Sequence, residues 1–126
     1  MIFARLLILL VVFTATPALA DRAALAKSLC APSLSDQISA IVALADAGAI
    51  GGAEEAEWAQ TVVAAVEGRT LRCASSGVFL SDGDGAIDAT TLTSAPAPVD
   101  AEAPPVNNRL RAVAASAAAV LTLFAD

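Results

Sequence analysis

Three small groups of residues in this 126-residue chain have the types and spacing that chemistry needs. Asp82, Asp84 and Asp88 stand close together around Gly83 and Gly85. Carboxylates so spaced offer hard oxygens to a divalent cation, or an acid and a base to a reaction. Cys30 and Cys73 are the only thiols. Asn107, Asn108, Arg109 and Arg111 place amides and guanidinium groups at the entry to an alanine-rich segment.

Each group meets a constraint. An EF-hand loop requires a third ligand at its fifth position, glycine at its sixth and glutamate at its twelfth. Gly85 comes two positions too early, so the aspartates read as a solvated β-turn and only weakly as metal ligands. The chain has no histidine and no tyrosine, its serines lack a base partner, and the thiols have neither a Cys-x-x-Cys spacing nor an imidazole to activate them. No catalytic residue is expected, and no cofactor. No Gly-rich loop followed by Lys-Ser or Lys-Thr is present to cradle ATP.

The compartment follows from the first twenty residues. Arg5 precedes an unbroken apolar run from Leu6 to Phe13, and Ala18-Leu19-Ala20 fits the small-x-small rule, so residues 1–20 read as a signal peptide cleaved before Asp21. The run is too short to span a bilayer. A periplasmic or secreted protein is therefore expected, in which Cys30 and Cys73 either form a disulfide or remain two buried thiols. Without the leader, six basic residues face thirteen acidic ones, a net charge of −7. Nucleic acid is excluded as a partner on that balance.

The elements that must position these groups give an α+β class. Ala23–Leu29 reads as a short helix ended near Pro32. Ser33 with Asp36 opens a second, with Ile38, Ile41, Val42, Ala45 and Ala49 on one face and Gly48 and Gly51-Gly52 breaking it. Glu54, Glu55 and Glu57 open a third, which buries Trp58, Val62, Ala65 and Val66 and stops at Gly68. The period then changes to two. Leu71 and Cys73, a Ser75-Ser76-Gly77 turn and Val78–Leu80 make a hairpin, with Ala86–Asp88 as a third short strand. Residues 21–93 thus form a helical pair with a hairpin sheet, and residues 94–105, with four prolines, a linker or a loop lying over the domain. Residues 106–126 carry a last helix, capped by Asn107 or Asn108, with Leu110, Val113, Ala117, Val120, Leu121 and Phe124 as its apolar side. That side packs on the same domain or on a continuation.

Arg109 and Arg111 fall in the first turn of this helix, where positive charge opposes the helix dipole by roughly 0.3 to 1 kcal/mol each. An acidic partner is expected to hold them, either the aspartate turn or Glu67.

At these residues the chain resembles a known family. The order of leader, Ala/Leu helices, Val63-Ala64-Ala65-Val66-Glu67-Gly68-Arg69-Thr70-Leu71, Gly/Asp hairpin and Val106-Asn107-Asn108-Arg109-Leu110-Arg111 is similar to the periplasmic N-terminal region of urea ABC transporter permeases, the UrtB family. It departs from that pattern where Arg72 and Cys73 replace an aromatic residue, and in its proline-rich linker. The resemblance implies a noncatalytic accessory domain related to a urea or amide ABC importer, without the transmembrane domain and unable to transport by itself. Asn107, Asn108, Arg109 and Arg111 would then shape and dock the last helix. The alternatives from the residues themselves are a free-standing exported protein with a structural or interaction role, and a small metal- or solute-binding module built on the aspartate turn.

Overall fold

The computed structural model describes residues 17–125. The expected leader falls largely outside them. The described chain starts at Pro17, and the expected cleavage position lies inside α1 (Pro17–Ser28).

The second helix, α2 (Leu34–Ile50), opens as its sequence dictates: the Ser33 hydroxyl accepts from the Asp36 amide at 3.2 Å. Its buried face differs from the expected one. Gln37, Ala40, Ile41, Leu44 and Gly48 are buried, whereas Val42 is half exposed. Nor does Gly48 break the helix. A methyl group there would stand 2.7 Å from Leu121 Cδ2 and 2.8 Å from Ala59 Cβ, so Gly48 is where three helices come closest. The helix ends at Gly51-Gly52, the other expected break, where Gly52 has a φ of 97° that suits only glycine.

The third helix, α3 (Ala53–Glu67), runs antiparallel to α2 and buries Trp58, Val62, Ala65 and Val66 as expected, with Ala56, Ala59 and Val63. Four antiparallel strands follow in sequential order: β1 (Leu71–Ala74), β2 (Gly77–Asp82), β3 (Gly85–Asp88) and β4 (Ser94–Ala95). Cys73 pairs with Val78 across the first turn, and Asp82 with Gly85 across the second. The fourth strand lies inside the segment read as a linker or a loop lying over the domain. Its two residues pair with Ala86 and Ile87, and nothing in a Ser-Ala dipeptide announces a strand. Further on, the same segment crosses to the outer edge of β1, where Cys73 and Glu102 exchange backbone hydrogen bonds of 2.8 Å in both directions. Residues 94–105 therefore form a strap that covers the sheet edge, a position proline tolerates.

The last helix, α4 (Asn108–Thr122), packs on α3 and α2. Leu110, Ala114 and Leu121 are its buried residues. Val120 and Phe124, expected on the inner side, are 49% and 46% exposed. The helix turns about 100° per residue, and contact with Gly48 and Ala59 selects the line through Leu110, Ala114 and Leu121. One hydrophobic core results, running from Ala26 of α1 and Leu29 just after it through α2, α3 and the inner sheet face to Leu121. The class is α+β.

Two cross-links hold α1 to this body. Cys30 and Cys73 form a disulfide with Cα atoms 6.1 Å apart. Arg22 lays its guanidinium over the Trp58 ring, 5.2 Å from the centroid, and forms an ion pair with Glu55 through hydrogen bonds that include Nε to each carboxylate oxygen at 3.1 Å.

Candidate functional site

The aspartates are not brought together as a site. Among the described residues, no group of three or more His, Cys, Asp or Glu side chains is placed to hold a metal ion. Asp82 and Asp84 are exposed on the β2–β3 hairpin. Asp88 Oδ1 accepts from the Thr90 amide at 2.8 Å and the Thr91 amide at 3.4 Å, so this carboxylate shapes the chain leaving β3.

The asparagine and arginine group is organised differently. Asn107 is the N-cap of α4, its Oδ1 accepting from the Leu110 amide at 2.8 Å, while Asn108 is the first helical residue. Arg111 Nε donates to the backbone carbonyl of Glu67 at 3.1 Å, not to the Glu67 carboxylate. That carbonyl belongs to the last turn of α3, the negative end of its dipole. The cation is thus unfavourably placed on its own helix and favourably placed on its neighbour's, which corrects the expected side-chain pairing. Arg109 is exposed. Among the described residues the one ion pair is Arg22 with Glu55.

Two further arginines gather where α3 gives way to β1. Arg69 adopts a left-handed conformation, φ 59°, and its Nη2 lies 3.5 Å from the Val106 carbonyl. Arg72 Nη1 donates to the carbonyls of Arg69 and Leu71 at 2.9 and 2.8 Å. In an acidic chain, Arg69, Arg72, Arg109 and Arg111 thus concentrate positive charge at this junction and the neighbouring first turn of α4. Their charge is engaged by carbonyl oxygens and solvent.

Between this junction and the strap lies a pocket of about 100 Å³. Its walls are Leu29, Ile41, Val66, Leu71, Val106 and Leu110, its roof is Ala103 and Pro104, and Gln37 and Arg69 are its polar members. Arg69 and Ala103 are exposed and mark the mouth. Gln37 is 3% exposed; its Nε2 donates to the Pro105 carbonyl at 3.2 Å and so ties α2 to the end of the strap. Sequence reasoning placed neither Gln37 nor Arg69. The signal available was a glutamine inside the apolar period of α2, and a non-glycine residue directly after the helix stop at Gly68.

The middle of the strap is fixed electrostatically. The Ser75 side chain, together with the Ser75 amide at 2.9 Å, hydrogen-bonds the Asp100 carboxylate and holds its pKa below the ordinary value. A folded pKa below the unfolded one means that the contact stabilises the fold above the unfolded pKa of about 3.9 and is lost as pH falls through the folded value. The protection of the Ser75 amide, the factor by which its exchange is slowed relative to an unstructured chain at the same pH, is therefore expected to fall on acidification below about pH 4 in the wild type, and to be low throughout in Asp100→Asn. Equal acid sensitivity in both proteins would show that another group governs the strap.

No family model, curated protein or solved structure matches the chain.

Proposed function

We propose that this chain is an extracytoplasmic accessory domain that acts by binding and performs no catalysis. The observation that carries the reading is the pocket beneath the strap: apolar walls, one buried amide and one guanidinium at the mouth, the composition of a small-solute site. The Cys30–Cys73 disulfide supports an oxidising compartment, and with it the reading of residues 1–20 as a cleaved leader. The packing of α4 on α2 and α3 supports a domain that folds without an importer.

The test has two arms. Full-length chain expressed with a C-terminal tag in a Gram-negative host is expected in the periplasmic fraction, beginning at Asp21 and without titratable thiols; cytoplasmic retention with free thiols overturns the compartment. Methyl-labelled protein titrated with 3-methylbutan-1-ol, a neutral aliphatic alcohol, or with 3-methylbutanoate, is expected to show saturable shifts at Ile41, Leu71 and Leu110. Absence of shifts with both overturns the binding role.

Association with a urea or amide ABC importer rests on the resemblance around Asn107–Arg111. Co-expression with such an importer's permease and binding protein is expected to give a complex that survives size-exclusion chromatography. Its absence would leave the binding domain without that partner.

A further inference from the structure

Resting on that binding role, we propose that the pocket takes a small branched or straight-chain aliphatic carboxylate, its hydrocarbon body enclosed by the walls and its carboxylate held at the mouth by Arg69. Three observations converge. The volume of about 100 Å³ limits the enclosed part to about four or five carbons. The walls, from Leu29, Ile41, Val66, Leu71, Val106 and Leu110, are aliphatic, with no aromatic ring for stacking. The one charged residue lining the pocket is the cation Arg69, although the protein as a whole is acidic.

The detailed chemistry of the mouth favours an anion over a neutral head group. Among the described residues, the single hydrogen bond that Arg69 makes through its side chain is a long one, 3.5 Å to the Val106 carbonyl. Its planar guanidinium can form a two-pronged contact with a carboxylate, the geometry arginine serves best. Leu110, in the first turn of α4, lines the same pocket, so the positive end of that helix dipole adds to the field. Arg72 and Arg111, anchored on carbonyls of the α3–β1 junction, contribute further positive charge nearby. Within the pocket, Gln37 is positioned by its bond to Pro105 and makes no other hydrogen bond among the described residues. Its Oε1 is available to a hydroxyl or ammonium donor on the guest, which would extend the class to substituted aliphatic acids.

The experiment compares 3-methylbutanoate with 3-methylbutan-1-ol on the oxidised chain, following methyl shifts at Ile41, Val66, Leu71 and Leu110. The carboxylate is expected to bind with a Kd on the order of a millimolar or lower, the range open to so few atoms. The alcohol is expected to bind up to about fivefold more weakly, the range for a charge pair at an exposed mouth. Arg69→Gln is expected to remove that preference. The comparison of the two probes on the wild type keeps the test independent of how the variant folds. Equal affinities for acid and alcohol would overturn the assignment of ligand class while leaving a binding pocket; no response to either would overturn the binding role itself. An Arg69→Gln protein that keeps both its fold and the full preference would remove Arg69 from the site.

Discussion

Replacing both cysteines by serine is expected to lower the melting temperature by roughly 15–30 °C, because the bond closes a loop for which chain-entropy reasoning gives about 4 kcal/mol. Cys30 and Cys73 are 43 residues apart, and that interval contains the whole of α2 and α3. Without the bond the unfolded chain regains the freedom of both helices, while the folded chain loses the covalent tie between the end of α1 and β1. The stake is large, since a domain of this size holds about 5–15 kcal/mol in total. Trp58 is the only tryptophan and is 3% exposed, so its fluorescence reports the transition. Reductant should lower the wild-type midpoint to that of the double-serine protein and leave the latter unchanged. A shift below about 5 °C would mean that the reduced unfolded chain keeps much of its structure, the known failure of the entropy account.

The same bond illustrates what could be read from the residues. Two thiols limit the possibilities to one pairing or none, and the choice needs only the distance. Helix ends were equally legible, since Ser33 and Asn107 cap α2 and α4 through local hydrogen bonds. What could not be read depends on contacts distant in sequence. Gly48 looks like a breaker until Leu121 and Ala59 are seen against it. Ser94 and Ala95 become a strand only because β3 presents an open edge. The pocket is the plainest case: its walls come from the turn after α1, from α2, α3, β1, the strap and α4, and no window of sequence contains it.

The arginines show how a correct local argument led to the wrong partner. Positive charge at the start of α4 needs compensation, and a carboxylate is the usual source. In the fold the α3 C-terminus supplies carbonyl oxygens already deprived of helical donors, so Arg111 satisfies one of them at Glu67 without fixing a second charged side chain. Arg72 does the same for Arg69 and Leu71. Capping carbonyls with guanidinium groups leaves the charge unneutralised. That is why the junction stays electropositive in an acidic protein, and why its pocket suits an anion.

Trp58→Ala is expected to cost about 3–5 kcal/mol, the range for removing a fully buried large side chain. Three interactions meet on this indole. Its ring lies in the core beside Ala59 and Val62, its Nε1 donates to the Ala89 carbonyl at 2.7 Å, and its face carries the Arg22 guanidinium. Separate substitutions divide the effect. Trp58→Phe keeps most of the ring but leaves the Ala89 carbonyl without its donor, at about 1–3 kcal/mol. Because Ala89 follows β3, the loss should concentrate in residues 89–93, visible as faster amide exchange there than in α3. Arg22→Ala removes the stacked cation and the partner of Glu55 in a half-buried position, about 0.5–1 kcal/mol for the stacking and a similar amount for the pair. Chemical denaturation followed by circular dichroism, which does not depend on the indole, should therefore rank the variants Trp58→Ala, Trp58→Phe, Arg22→Ala. If Arg22→Ala proved as damaging as Trp58→Ala, the tie between α1 and the core would be chiefly electrostatic. The melting temperature would then fall steeply with salt, whereas a packed indole makes it nearly indifferent.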